Sequence, residues 1–229
     1  YTFNVIKYCN TIITRIDDIE WNNVEERNHI LGSAFFHRAY RYYRAVHQFG
    51  DVPFLDEELT SPKTDFYSHN RWDILERIYS DMEFAYKWVR NDMERGNVTK
   101  DACGVLLMKI AMSLGKFDRA IEVGQEVASR HPLMTDRFTA NQGKPRTNLM
   151  HDLHSIEAKL DRNNTEGILY TASYPDVVGS VRIFTMRCGV PSWNTGGQGT
   201  ITPAGETGTA WNVSAIAEDI LEDPDLDIN

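Results

Sequence analysis

The chain has 229 residues, 41% of them apolar and 11% aromatic, with a formal net charge of −9 and a pI near 5.3. That length suits one large domain or two small ones, with enough apolar material for a real core. The acidic balance, with no run of Lys and Arg to track phosphates, argues against nucleic-acid binding, and no apolar stretch approaches the length that crosses a bilayer as a helix.

The three cysteines, Cys9, Cys103 and Cys188, lie far apart, without CxxC or metal-type spacing. Cys9 and Cys103 fall on apolar helix faces, so buried thiols are expected there. No signal peptide is visible, and the chain opens without Met inside a helical pattern, so it reads as part of a longer protein.

Residues 1–19 predict a first helix, with Phe3, Ile6, Ile12, Ile13, Ile16 and Ile19 roughly on one side. Asn10 is costly inside a helix, and the expectation is that it hydrogen-bonds a neighbouring loop. Asn23-x-x-Glu26 has capping-box spacing and opens a second helix that runs to Phe49. Its apolar face is Leu31, Ala34, Phe35, Tyr42, Ala45, Val46 and Phe49. Gly50 stops it, and Pro53 biases Val52 toward an extended conformation. Residues 56–70, polar and broken by Pro62, predict a loop.

Asn70 caps a third helix whose buried face is Ile74, Leu75, Ile78, Met82, Ala85, Trp88 and Val89. Thr99 caps a fourth, with Ala102, Cys103, Leu106, Leu107, Ile110, Ala111 and Leu114 in its stripe. Gly115 then turns directly into a fifth helix at Lys116-Phe117-Asp118-x-Ala120-Ile121. A helix followed by Gly-x-Phe-x-x-Ala is the turn of a tetratricopeptide-type hairpin, and Ala111, Ala120, Gly124 and Ala128 suit a close crossing. After Pro132 the character changes. Residues 138–148 predict a loop and 149–160 a short helix. Residues 166–170 and 181–185 read as short extended segments, 191–208 as a Gly-rich loop, and 214–221 as a last short helix.

The run Gly32-x-Ala34-Phe35-x-x-Arg38-Ala39-x-x-Tyr42-Tyr43, followed by Phe49-Gly50-Asp51-Val52-Pro53-Phe54, resembles the SusD/RagB family, outer-membrane nutrient-binding lipoproteins of Bacteroidetes glycan-uptake systems. Ser33 and His37 depart from the family pattern. Arg71, Ile74, Glu76, Asp81, Met82 and Ala85 continue the resemblance, as do the fourth and fifth helices and Asn164-x-Glu166-x-Ile168, so that it covers about residues 1–170. The resemblance implies a mostly α fold, SusD-like, with tetratricopeptide-like helical hairpins through residue 130. A loop-rich region with a short helix and short strands would follow over 131–229, and the family's C-terminal part would be missing. It further implies non-catalytic capture of an oligosaccharide or polysaccharide at the cell surface, delivery to a SusC-like TonB-dependent transporter, and a membrane tie only through a lipid anchor upstream of Tyr1.

A glycan site needs flat rings for the apolar faces of the sugar and polar groups for its hydroxyls. Loop aromatics suit this, because core packing does not claim them. Trp193 leads, with Asn194 and Gln198 as polar partners, and Phe66-Tyr67 and Trp72 at the loop before the third helix come next. The cluster His151-Asp152-Leu153-His154 with Glu157 has the wrong spacing for a helical metal motif and reads as a solvated face. No nucleophile elbow, phosphate loop or dinucleotide fingerprint is present, so no catalytic residue, metal or cofactor is assigned. A tetratricopeptide scaffold for a peptide partner and a glycoside hydrolase with two converging carboxylates stand as alternatives.

Overall fold

The computed structural model describes residues 2–94, 96–139, 148–154, 161 and 163–170. They fall in two units, the first made of the described residues up to 136 and within 156–170, the second of those within 137–155. The first unit is a run of five helices: α1 (Thr2–Arg15), α2 (Val24–Phe49), α3 (Arg71–Trp88), α4 (Lys100–Ser113) and α5 (Phe117–Arg130). A 3₁₀ turn, Ile16–Asp18, follows α1. Two short antiparallel strands, β1 (Val52–Pro53) and β2 (Ser68–His69), join α2 to α3. The second unit contributes α6 (Leu149–His154). There Asp152 is buried and receives Arg137 Nε at 2.6 Å, so it is committed to an ion pair.

Each helix of the first unit packs against the next in sequence, as stacked helical hairpins do. Fully buried Ile6, Ala39, Tyr42, Ile78, Met82, Leu107, Ile110 and Val123 run through the stack. Start signals act as their chemistry dictates. Asn23 accepts from the Glu25 amide at 2.8 Å, two residues on rather than the three of a capping box. Asn70 accepts from Trp72 and Thr99 from Ala102. Two of the stops are glycines: after α2 and α4, Gly50 and Gly115 take φ of 76° and 73°, which a β-carbon resists. Cys9 and Cys103 are buried free thiols, and burial pushes the Cys9 thiol up to about 11.

Two glycines set how close the layers come. A β-carbon on Gly32 would sit 2.8 Å from Val89 Cγ2 and 3.2 Å from Ala85 Cα, at the α2–α3 crossing. One on Gly104 would sit 2.7 Å from Val127 Cγ2 and 2.8 Å from the Tyr86 ring, where α4 meets α3 and α5.

Some expected core positions are instead outside. Phe3, Ile12 and Ile19 are exposed: α1 buries the face of Ile6, Cys9 and Asn10, which Phe3 and Ile12 flank, and Ile19 lies beyond the 3₁₀ turn that follows the helix. Phe49 is 70% exposed, since α2 ends there and the chain turns away at Gly50. Residues 167–170 carry no strand ladder. Their neighbourhood is held by side chains: Asn164 Oδ1 accepts from the Gly167 amide, and His131 takes the Thr165 carbonyl. Residues 181–185, 191–208 and 214–221 lie outside the described residues, as does 155–160 beyond α6.

A buried charge cluster ties three helices to one loop. Arg38, on α2, is wholly buried. Its Nη2 donates to Asp81 Oδ2 on α3 at 2.6 Å, and its Nη1 donates to Asn10 Oδ1 on α1 at 3.0 Å and to the Asp56 carbonyl at 2.9 Å. Burial pushes the Asp81 carboxyl upward, and the Arg38 guanidinium draws it back. Such a pair is costly to desolvate and more costly to halve. Asp81→Ala should therefore lose about 3–5 kcal/mol in urea unfolding, whereas the double variant Arg38→Met, Asp81→Leu should lose clearly less. Gly104→Val should lose about 1–3 kcal/mol by overpacking in the same assay.

Candidate functional site

The segment from Phe54 to Tyr67 leaves the helical stack at β1 and returns at β2, with Val52 opposite His69 and Pro53 opposite Ser68. Its ends therefore meet, as in an Ω-loop. The base is closed by side chains. The Tyr42 hydroxyl receives the Leu55 amide at 2.7 Å, and the Tyr42 and Phe54 rings lie 4.6 Å apart. His69 Nδ1 receives the Phe54 amide, and Asp51 receives the Arg71 amide.

The first half of the loop is pinned by α1 and α2. Asn10 Nδ2 donates to the carbonyls of Leu55 and Glu57 at 2.9 and 3.0 Å, which is the loop bond expected of an Asn placed inside a helix. The Glu58 amide donates to Thr14, and its carboxylate meets Arg15 at 2.7 Å and Thr11 at 3.1 Å. The hydrogen bond from Arg15 holds the Glu58 carboxyl below its usual range. The second half, residues 59–67, is exposed throughout. Backbone polar groups on one side of the loop are thus satisfied by protein, while its tip faces water.

The returning end of the loop, next to β2, presents rings. Phe66 is 42% exposed and Tyr67 76%, and Lys63 Nζ lies 5.9 Å from the Phe66 centroid. Trp72, 48% exposed in the first turn of α3, is covered on one face by the Arg71 guanidinium at 4.9 Å. Between the loop and α1 runs a largely apolar groove of about 320 Å³. Phe3 and Lys7 form one wall, Leu59 and Phe66 the other, and Pro53 and Leu55 the floor.

Of the residues expected at a glycan site, Phe66, Tyr67 and Trp72 are exposed on or next to this loop, and of these three Phe66 lines the groove while Tyr67 and Trp72 do not. Trp193, Asn194 and Gln198 lie outside the described residues. Phe3 and Leu59 were not anticipated. Phe3 reads as core by helical spacing, and only its exposure beside Pro53 and Leu55 reveals a groove wall. A lone Leu59 in a polar loop carries no signal in sequence. Among the described residues no group of three His, Cys, Asp or Glu is placed to hold a metal.

The loop is sensitive to its anchor. Asn10→Ala removes two bonds to loop carbonyls and leaves Arg38 short of an acceptor, so it should destabilise the chain by about 1–3 kcal/mol. Limited proteolysis should then cut between residues 56 and 67 faster, with helical circular dichroism retained below the unfolding midpoint.

The comparisons with known proteins agree with this architecture. Residues 1–111 match the family model of SusD-like proteins described as starch-binding and associating with the outer membrane. SusD-like protein P2 of Formosa agariphila is 24% identical over 201 residues, which is 86% of this chain and 37% of that relative. A SusD-like protein from Bacteroides fragilis superposes with a TM-score of 0.62 at 22% identity, over 76% of this chain and 33% of its own. A laminarin-binding SusD-like protein superposes at 0.59 and 20% identity, over 75% of this chain and 36% of its own. At such identities the structural likeness is one of fold, and the chain spans little more than a third of these relatives' length. The shared helical stack and the match over its first four helices agree with the Arg38 and Phe49-to-Phe54 motifs, and together they support the SusD/RagB family for this chain.

Proposed function

We infer that this chain serves non-catalytic capture of an oligosaccharide or polysaccharide at the cell surface, for uptake through a SusC-like TonB-dependent transporter. The observation that carries the reading is the Ω-loop itself. Its backbone is fixed from Leu55 to Glu58, and it displays Phe66 and Tyr67 with Trp72 adjacent. Exposed rings on a pinned support can cover the apolar face of a pyranose at little entropic cost, and hydroxyls find Lys7 and Asn4 at the groove wall. The family description, starch-binding and associating with the outer membrane, supports a glycan ligand and a place at that membrane. The laminarin-binding protein of like fold supports the glycan ligand. Attachment would be through a lipid anchor upstream of Tyr1. The ligand contacts fall to Tyr67 and Trp72 from the described part, with Trp193, Asn194 and Gln198 as further candidates.

The protein, expressed at its full natural length, should be retarded by one polysaccharide in affinity electrophoresis over a panel of plant, host and microbial glycans, without new reducing ends. Tyr67→Ala or Trp72→Ala should weaken that binding about tenfold, roughly 1.4 kcal/mol. Retardation unchanged in both variants would move the site off this loop. Release of reducing ends would replace capture with glycoside hydrolysis, and no retardation across the panel would favour a peptide-binding scaffold.

A further inference from the structure

At the far end of the stack, beyond α5, one imidazole holds the chain segment that returns to the helices. His131 Nδ1 lies 2.6 Å from the Thr165 carbonyl, and its Nε2 lies 3.0 Å from Asp101 Oδ2 at the start of α4. Both partners are acceptors. Burial raises the Asp101 carboxyl, but the bonds from Arg130, His131 and Asn91 outweigh it and hold the carboxyl below its usual range. It is therefore ionised and supplies no proton at neutral pH. A carbonyl supplies none at all. Both contacts are hydrogen bonds only when both ring nitrogens carry a proton, that is, when His131 is an imidazolium. A neutral ring donates to one partner and turns a lone pair on the other.

We propose that His131 is a proton-operated latch that fastens residues 164–168 to helices α4 and α5. The rest of the attachment is Ile168, packed against the helical core, buried Asn164, and a few further hydrogen bonds. The Thr165 hydroxyl donates to the Pro132 carbonyl, and Glu166 Oε1 receives the Met134 amide at 2.7 Å. The ring's charged and titratable surroundings come from every side: Asp101 on α4, Arg130 and Glu126 on α5, Tyr86 on α3, and Glu166 on the segment itself. Asp101 is the one among them that contacts the ring. The fastened segment, through Gly167, Ile168 and Tyr170, also forms one wall of a polar pocket of about 210 Å³ whose other walls include Asn91, Thr99 and Asp101. Loss of the ring proton loosens that wall. The sign is fixed by the chemistry: the protonated ring closes the latch, and loss of its proton with rising pH opens it.

The test uses the whole chain, uniformly labelled with ¹⁵N. Ring ¹⁵N shifts report the charge of His131, and amide hydrogen exchange at Met134 and Gly167, corrected for intrinsic rates, reports the attachment. The expected result is a doubly protonated ring at pH 5.5 and protection that falls about tenfold by pH 8. In His131→Gln, which keeps a single donor, protection should be low and independent of pH. A neutral ring at pH 5.5, protection that does not change with pH, or a fall that persists in His131→Gln would each overturn the latch. Should that variant fail to fold, the ring shifts and exchange in the unaltered chain decide alone.

Discussion

One buried guanidinium organises the first unit. Arg38 cannot reach water, and an isolated charge in that position would cost several kcal/mol. It is compensated from three directions, by Asp81 on α3, Asn10 on α1 and the Asp56 carbonyl in the loop. Those requirements fix the relative positions of α1, α2, α3 and the start of the loop more sharply than apolar packing does, because hydrogen bonds tolerate only a few tenths of an ångström and a narrow angle. Apolar burial across the stack supplies the driving force. The charge cluster selects the arrangement.

The same cluster makes the loop usable. Asn10 spends its oxygen on Arg38 and its nitrogen on two loop carbonyls, so the helical core and the loop base share one set of bonds. A loop closed at its base can present Phe66 and Tyr67, which directly precede β2, without a large ordering penalty on binding. At the opposite end of the stack a smaller cluster around Asp101 has a similar economy: one carboxylate joins Arg130, His131 and Asn91, and thereby the start of α4 and the end of α5.

Helical periodicity was a good guide where a helix has one neighbour on one side. The faces of α3 and α4 came out nearly residue for residue, from Ile74 to Val89 and from Ala102 to Ala111. It failed at Phe3 and Ile12, which flank the face that α1 buries, and at Ile19 and Phe49, where a helix has ended or ends. The β1–β2 pair escaped notice because two residues per strand leave no alternation to read, and Pro53 and His69 are unusual strand residues. In the loop, the exposure of Tyr67 and Trp72 was legible from their polar context. The groove was not, since its walls, Phe3 and Leu59, lie far apart in sequence and belong to different elements.

Sequence alone determined what is local: five helices, their asparagine and threonine caps, two glycine stops, and the motif that resembles the SusD/RagB family. These follow from backbone preference and from spacing along one element, which a linear string records in full. It also marked Asn10 as a residue with a partner elsewhere. Which partner it has, that Arg38 is buried and paired with Asp81, that Gly104 must be bare, and that His131 sits between two acceptors were decided only in three dimensions. Each depends on atoms brought together from separate elements, and the distances between them exist only once the layers have packed.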